Sequence, residues 1–397
     1  MKILFLCNKS PYPHREGGPI AMNRMIEGMI KQGHRVKVMG INSFKYHVDL
    51  KDVPADYQKK TQLELHFLDL RLKPLDAFLN LFTKKSYHVD RFISHELKKR
   101  LAQILSSEKF DVVQMETLYM APYIETIREI SPESKIVLRA HNIEYFIWDR
   151  VRKTTSNLFK KIYLRHIVST LKYYELNAFK KFDGIAAITG HDADFIRKFN
   201  SSTIAIPFGI YPAEFKISAP EEWEFPSLFH IGSMNWIPNE EGIRWFLREV
   251  WPLIHQKHPG LLFYLAGRHM PGWLKNTRIE GVKVLGEVDS AEDFISEKGI
   301  MIVPLLSGSG IRIKIIEGMA AAKPVVSTST GAEGIEVSDG KDILLADSPQ
   351  EMADAVSRLV NDKQSAMALA KNARQTIEKK YDNSKLMKRL QQFYQEI

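Results

Sequence analysis

The chain has 397 residues, of which 44% are hydrophobic and 26% charged, and its formal net charge is +9. These proportions are typical of a globular protein, and the length favours two domains rather than one. The single cysteine, Cys7, excludes an internal disulfide, and no uninterrupted apolar stretch is long enough to span a bilayer.

The first residues, MKILFLC, contain an apolar run too short for the core of a signal peptide, so we expect a first β-strand there. The scarcity of cysteine predicts a cytoplasmic protein. Short β-branched runs alternate with amphipathic helical stretches along the chain, which predicts an α/β protein of repeated βα units around parallel sheets. The predicted strands are KILFLC, RVKVMG, LELHFLDL, DVVQME, KIVLRA, GIAAIT, TIAIPF, SLFHIG, LLFYLAG, VKVLGEV, IMIVPL, PVVST and ILLAD.

Two adjacent glycines, Gly17 and Gly18, follow the first strand and precede a predicted helix that ends at Gly33. Paired glycines let the backbone approach a ligand closely at a helix N-terminus. The segment lacks the dinucleotide-binding spacing G-x-G-x-x-G, and an ordinary flexible loop also explains it.

His141 stands at the carboxyl end of the predicted strand KIVLRA, with Glu144 just beyond. Open α/β sheets bind ligands beyond the carboxyl ends of their strands, so this position favours a functional histidine. A lone histidine is otherwise more often a structural residue. Glu144 is interpreted as an acceptor-side or structural residue.

Positive charge is concentrated between Val151 and Lys181, where eight cations accompany a single acid, Glu175. Apolar residues interleave with these cations at helical spacing, which predicts one long basic amphipathic helix. Such a helix can lie on anionic lipid headgroups, and a solvated helix face is an equal alternative. Nucleic acid is not favoured as a partner, because the chain has no zinc-finger spacing and no RNP-like aromatic strand.

The pair Asp192 and Asp194 has an Asp-x-Asp spacing that could be mistaken for a metal site. It opens a predicted helix, where carboxylates cap free backbone N–H groups. No His or Cys cluster has metal-ligand spacing either, so we expect no metal site.

Residues 207–226 are rich in proline and acidic residues and predict a linker. They divide the chain into an N-terminal domain of residues 1–206 and a C-terminal domain that begins at residue 207. Two Rossmann-like domains joined there would leave a cleft, which is a favoured place for a small-molecule site.

The segment 307–335, SGSGIRIKIIEGMAAAKPVVSTSTGAEGI, begins with a loop of Gly308, Ser309 and Gly310. Glycines let such a loop turn its N–H groups toward phosphate oxygens. The same three residues are also typical of an ordinary loop.

Arg312 and Lys314 follow, and a helix that starts near Lys314 adds the positive end of its dipole. Both cations can face an anion. Glu317, about one turn later, can accept two hydroxyl hydrogen bonds, as a ribose diol requires. The pattern favours a sugar-nucleotide site, although a glutamate in a first helical turn often only complements the dipole.

The whole segment, with its PVVST strand and GAEG turn, resembles the donor-site signature of retaining GT-B glycosyltransferases of the group 1, or family 4, class. The resemblance implies two Rossmann-like domains whose parallel sheets face each other across a cleft. It also implies a C-terminal domain of residues 207–379 and a last helix, about residues 380–397, that packs back on the N-terminal domain. The expected reaction uses a UDP- or GDP-linked sugar and needs neither a metal ion nor another cofactor.

The resemblance also assigns residues. Glu317 matches the second of two family glutamates, which binds the nucleotide ribose, whereas Ser309 replaces the first, so the glutamate to the donor sugar is missing. The Gly17 and Gly18 loop would face the donor diphosphate, and His141 would lie beside the donor sugar.

The segment HIGSMNWIPNEEG resembles the family's first strand-to-helix turn of the C-terminal domain, and Gly232 and Ser233 stand in it. In the family this turn often supplies an Arg and a Lys to the diphosphate. Here Ser233 and a residue near Asn239 replace them. Arg312 and Lys314 are therefore the expected source of the missing positive charge.

We therefore expect a retaining glycosyltransferase that acts on an acceptor hydroxyl in surface polysaccharide or glycolipid assembly. One alternative is a GT-B nucleotide-sugar 2-epimerase, which needs no acceptor. Another is a catalytically inactive, membrane-associated binding subunit, which the missing first glutamate supports. The basic segment and residues 73–92 suggest a glycan acceptor linked to lipid, an anionic membrane surface as partner and a peripheral position on the inner face of the plasma membrane.

Overall fold

The structure is a computed structural model that describes residues 1–14, 17–219, 221–308 and 310–397. The chain forms two compact units. Unit 1 comprises Met1–Gly209 and Asn383–Ile397, and unit 2 comprises Ile210–Asp382. Within the described ranges, no helix combines the length and apolarity needed to cross a membrane.

Unit 1 is built on a parallel sheet. Its strands are β1 (Lys2–Cys7), β2 (Arg35–Asn42), β3 (Glu64–Phe67), β4 (Val112–Glu116), β5 (Lys135–Ala140), β6 (Gly184–Ala187) and β7 (Thr203–Ala205). They pair in the order β3-β2-β1-β4-β5-β6-β7. The helices that cover this sheet are α1 (Gly17–Lys31), α2 (Ala55–Thr61), α3 (Pro74–Asn80), α4 (Tyr87–Asp90), α5 (His95–Ser107), α6 (Ile124–Ile130), α7 (Glu144–Thr154), α8 (Leu158–Phe179) and α9 (Gly190–Ile196).

Unit 2 is built on a second parallel sheet. Its strands are β8 (Glu224–Ile231), β9 (Leu262–Ala266), β10 (Val282–Gly286), β11 (Lys298–Val303), β12 (Val325–Ser327) and β13 (Leu344–Leu345), in the order β10-β9-β8-β11-β12-β13. Its helices are α10 (Ile237–Trp245), α11 (Trp251–Lys257), α12 (Gly272–Lys275), α13 (Ala291–Glu297), α14 (Ile313–Ala320), α15 (Pro349–Asn361) and α16 (Lys363–Lys380), with a π-helical turn at Phe246–Val250.

Both sheets confirm the predicted pair of Rossmann-like domains. Every apolar run predicted as a strand overlaps an observed strand. The central strands give the clearest runs, because parallel strands covered on both faces bury most of their side chains, whereas the edge strands β3 and β10 are partly exposed. In β1, for example, residues from Ile3 to Cys7 are almost fully buried. Burial raises the pKa of the Cys7 thiol well above its ordinary value, and the charge of Glu116 adds to this effect, as suits a structural cysteine.

Two predicted segments have different bounds in the structure. The end of the expected linker belongs to β8, where Glu224 forms an ion pair with Lys298 at 2.6 Å. The expected long basic helix is divided into α7 and α8, because the polar run from Thr154 to Asn157 favours a new helix start. The Asn157 side chain caps α8 by accepting a hydrogen bond from the Lys160 N–H at 2.9 Å.

The last helix, α17 (Asn383–Glu396), belongs to unit 1 and packs on α1. Its apolar face completes a core cluster that includes β1, and its buried residues are Leu386, Met387, Leu390, Phe393 and Tyr394. Glycine is needed where α17 approaches the rest of the unit, since a Cβ at Gly28 would lie 2.5 Å from Met387 Cγ.

Candidate functional site

In unit 2 the carboxyl ends of β8 and β9 lie against each other. The Gly232 N–H, just after β8, donates to the carbonyl of Ala266 at 3.1 Å. Gly267 follows β9 with a φ of +137°, and a side chain there would collide with the Gly232 backbone. Glycine at position 267 therefore lets the turns after β8 and β9 pack backbone against backbone.

The ammonium of Lys314 occupies this turn. Its Nζ donates to Asn239 Oδ1 at 2.8 Å and lies 3.3 Å from His230 Nε2. The Asn239 amide in turn donates to the Ser233 carbonyl at 2.8 Å, so its orientation is fixed. A Cβ at Gly232 would collide with the Lys314 ammonium, so glycine permits this position.

His230 contacts the ammonium as a neutral acceptor. It is fully buried in β8, and its Nδ1 lies 2.8 Å from the carbonyl oxygen of Ile302. Because a carbonyl only accepts, Nδ1 carries the proton and Nε2 presents a lone pair to Lys314. Burial holds the pKa of His230 well below its ordinary value, and the charge of Lys314 lowers it further.

Burial also lowers the pKa of Lys314 to about 7, an effect that the carboxylate of Glu317 opposes and the charge of Arg312 reinforces. Lys314 and Glu317 are the second and fifth residues of α14, three apart on the same side of the helix. Both are partly exposed, whereas Ile315, Ile316 and Met319 bury the other side.

Arg312 is buried beside the glycine loop. Its guanidinium donates to the carbonyl of Gly310 and, at 3.5 Å, to that of Thr330, and lies 5.5 Å from the centroid of the Trp236 ring. Gly308 and Gly310 have φ values of +121° and +83°, in the region that favours glycine. Arg312 therefore links this loop to the backbone at Thr330 and to the Trp236 ring. Ser309 lies outside the described residues.

This arrangement suits an anion. Lysine has three ammonium protons, and Asn239 and His230 take two, which leaves one for a ligand oxygen. The N-terminus of α14, adjacent to Lys314, adds positive potential. The sequence identified Gly232, Ser233 and Lys314, but the supporting role of His230 was missed; its only signal is a polar residue within the apolar run SLFHIG.

In unit 1, His141 lies at the carboxyl end of β5 beside a buried carboxylate. Its Nε2 is 2.7 Å from Glu116 Oε2, at the end of the neighbouring strand β4. The other Glu116 oxygen accepts from the amide of Gln114, and the hydroxyl of Tyr394 donates to the Gln114 carbonyl oxygen. This chain of hydrogen bonds connects His141 to α17. Glu116 fixes the orientation of the His141 ring through this contact, and sequence reasoning missed it.

Gly17 and Gly18 form the first turn of α1, rather than preceding it as expected. Pro19 follows them, and its fixed φ suits a first helical turn. A Cβ at Gly18 would lie 2.9 Å from Nζ of Lys9, whose ammonium is 4.6 Å from the ring centroid of Tyr46. A small cavity of about 170 Å³ lies beside these groups.

Two buried carboxyl groups, those of Glu144 and Glu175, form hydrogen bonds near the start of α7. Glu144 is buried and accepts a hydrogen bond from the Tyr119 hydroxyl at 2.9 Å, and burial raises its pKa to about 7. Glu175, on α8, accepts from the backbone N–H groups of Glu144 and Tyr145 at 2.8 and 3.0 Å, which caps the start of α7. Burial raises the pKa of Glu175 to about 8.

The Asp192 and Asp194 pair opens α9, as expected, but the capping group is different. The hydroxyl of Thr189 accepts from the Asp192 N–H at 3.0 Å, because Thr189 occupies the N-cap position. Asp194 instead pairs with Arg197 at 2.5 Å. Across the described ranges, no group of three or more His, Cys, Asp or Glu side chains could hold a metal ion.

Comparisons with known proteins agree with this architecture. Residues 225–362, which contain the whole Lys314 site, match the family model described as glycosyl transferases group 1. The structure resembles Anabaena HepE, solved in complex with UDP, with a TM-score of 0.66 and 15% identity over 100% of both chains. It also resembles sucrose-phosphate synthase from Thermosynechococcus elongatus, with a TM-score of 0.71 and 14% identity over 100% and 99% of the two chains. The fold is GT-B.

A relative in sequence covers nearly the whole chain. The protein is 23% identical over 402 residues to an uncharacterised 44.6 kDa protein in the cps region of Klebsiella pneumoniae, with 97% of each chain aligned. The family match and the GT-B fold together support a glycosyltransferase.

Proposed function

We propose that the protein is a retaining, metal-independent glycosyltransferase that moves a hexosyl group from a nucleoside diphosphate sugar to an acceptor hydroxyl. The Lys314 ammonium, held by His230 and Asn239 within the segment that matches the glycosyltransferase model, carries this proposal. Expelling a diphosphate requires positive charge that is in place before the reaction. Here two neighbouring side chains already orient the cation.

In unit 2, we assign the free N–H of the Lys314 ammonium and the backbone of Gly308, Ser309 and Gly310 to the diphosphate. Arg312 shapes this loop and adds positive potential, since its guanidinium contacts the loop backbone. Glu317 binds the ribose hydroxyls. The complex of Anabaena HepE with UDP favours a UDP-linked donor, with a GDP-linked donor as the alternative.

In unit 1, we assign His141 to the donor sugar and the first turn of α1, at Gly17 and Gly18, to closure over the donor. The sugar's bond to the diphosphate oxygen breaks as the acceptor oxygen bonds to the same carbon. The acceptor proton passes to the leaving phosphate, so the balance needs no metal ion or other cofactor. These roles and the retention of configuration follow from the family resemblance.

The relative from a cps region favours a role in the assembly of a surface polysaccharide or glycolipid. We therefore propose a glycan or lipid-linked acceptor and a peripheral position at the cytoplasmic face of the membrane, consistent with the cations of α7 and α8.

Binding and turnover together test the function. Calorimetry with UDP, GDP and ADP identifies the base, and mass spectrometry of products from the matching sugar nucleotides, with and without acceptors, identifies the reaction. Lys314→Ala should weaken donor binding about tenfold or more and abolish transfer, because it removes a charged hydrogen bond to the diphosphate. Lys283→Ala, at an exposed lysine of unit 2, is the matched control.

Wild-type transfer by Lys314→Ala, or no binding of any nucleoside diphosphate, would overturn the proposal. Conversion of the donor alone to a sugar isomer would identify a 2-epimerase. Donor binding without turnover across a panel of acceptors would identify a non-catalytic binding subunit.

A further inference from the structure

An apolar stripe on α3 and the turn after it faces solvent. Leu75, Phe78, Leu79 and Phe82 have the i, i+3, i+4, i+7 spacing of one helix face, which in a globular protein normally packs on the core. Their exposed fractions are instead 68%, 57%, 54% and 78%. The rings of Phe78 and Phe82 contact each other edge to face, with centroids 5.6 Å apart.

The stripe is exposed although α3 is held at both ends. Before its start, the Lys73 N–H donates to the hydroxyl of Tyr87 at 3.0 Å. At its end, His166 Nε2 of α8 donates to the carbonyl of Asn80 at 3.1 Å, and the Asn80 amide donates to the carbonyl of Lys85 at 3.1 Å. The folded unit therefore presents these apolar side chains outward on a fixed support.

The first turns of α8 carry a second exposed apolar group. Leu158, Phe159 and Ile162 are exposed to 67%, 84% and 60%. His166, one turn after Ile162 on the same helix, makes the contact with Asn80, so the two apolar groups lie on adjacent elements. We call the α3 stripe and this group the apolar face. Lysines and an arginine lie in the same segments: Lys73, Lys84, Lys85, Lys160, Lys161 and Arg165. They outnumber the one exposed acid of α3, Asp76.

We propose that the apolar face inserts into an anionic lipid bilayer, with the accompanying cations at the headgroups. This inference identifies the surface that would hold the enzyme at the membrane. It depends on the proposed function only for the identity of the acceptor. The charge of this surface favours lipid over a second copy of the chain. Residues 157–174 contain no acid, so a second copy would bring like charges together. Anionic headgroups would instead neutralise the cations. Amphipathic surfaces that combine aromatic residues with lysines bind the membrane interface in this way.

Sedimentation of the full chain with vesicles of phosphatidylcholine and phosphatidylglycerol, or of phosphatidylcholine alone, at low and high salt tests this proposal. The double variant Phe78→Ser and Phe82→Ser should lose the binding that survives high salt, with at least about a tenfold fall in partition coefficient. Replacing Lys160, Lys161 and Arg165 with Gln should remove the salt-sensitive part.

The matched control is Phe44→Ser with Phe67→Ser, a pair of rings exposed to 56% and 52% with centroids 4.9 Å apart in the same unit, which should bind like wild type. UDP binding, measured by calorimetry, should be unchanged in every variant, so failure of this proposal is separable from failure of the enzymatic one. Three results would overturn it: binding that high salt abolishes entirely, wild-type binding by the Phe78 and Phe82 variant, or a solution dimer that this variant dissociates.

Discussion

At the scale of single residues, the environment of Lys314 combines two opposite effects. Burial disfavours its charged form and lowers its pKa to about 7, while Asn239 Oδ1 and His230 Nε2 hydrogen-bond to the ammonium. A diphosphate bound beside it would favour the ammonium again. The charge that we propose for donor binding is therefore sensitive to pH near neutrality.

Donor affinity should follow this protonation. Because Lys314 attracts the diphosphate as the ammonium and not as the neutral amine, the affinity for an intact sugar nucleotide should be highest below pH 7 and fall as the pH rises above the pKa of Lys314, about 7. Asn239→Ala removes an acceptor of the charged form, so it should weaken binding about tenfold at pH 7 and move the midpoint to lower pH. Calorimetry from pH 6 to 8.5 measures both effects. A pH-independent dissociation constant in the wild type would contradict this account.

The sequence indicated the cations and glycines of this site because they lie in one short segment. The sequence did not reveal the side chains that orient the proposed site residues Lys314 and His141. His230 acts as an acceptor only because its other nitrogen meets the carbonyl of Ile302, 72 residues away in the chain. Glu116 reaches His141 because β4 and β5 are neighbours in a register that pairs Glu116 with Arg139. Such partners depend on strand order, which apolar runs do not specify.

At the scale of elements, strands were more predictable than helix boundaries. A strand of a covered parallel sheet appears as a continuous apolar run, and each predicted run overlaps an observed strand. Helix ends depend instead on single capping side chains such as Asn157 and Thr189. The return of helix α17 to unit 1 was expected from the family resemblance, but its individual core contacts follow from packing between distant segments.

Leu390 tests how strongly α17 supports unit 1. Its side chain is fully buried in the core cluster that includes β1, so Leu390→Ala should lower the free energy of unfolding of unit 1 by about 2–5 kcal/mol. Chemical denaturation followed by intrinsic fluorescence and circular dichroism measures this change. The neighbouring Lys388→Ala, at an exposed position, is the control. Equal stability of the two variants would show that α17 is not part of the cooperative unit.

At the scale of the whole molecule, buried acids make stability depend on pH. Burial raises the pKa of Glu144 to about 7 and that of Glu175 to about 8, from an ordinary value of 4.5. Between their ordinary pKa and these raised values, the two carboxyl groups bind more protons in the folded chain than in the unfolded chain. Their contribution to the free energy of unfolding therefore falls as the pH rises.

We therefore expect Glu144 and Glu175 to lower the unfolding midpoint of unit 1 as the pH rises toward 8, whereas His34, His66 and His88, whose pKa values burial lowers, act in the opposite sense below about pH 6.5. Glu175→Gln cannot ionise, so the slope of stability against pH should become shallower, whatever the variant costs at a fixed pH. Thermal unfolding at several pH values measures the slope. Parallel pH profiles for the wild type and Glu175→Gln would show that this carboxyl group does not titrate in the proposed range.

The return of α17 to unit 1 has a consequence for biosynthesis. The ribosome releases most of unit 1 first, then all of unit 2, and only afterwards the helix that fills the groove beside β1 and α1. At translation rates of about 5–20 residues per second, that groove stays unfilled for roughly ten to thirty seconds. During this interval the nascent chain exposes apolar residues of β1 and α1 that α17 later covers, which favours aggregation until the helix is made.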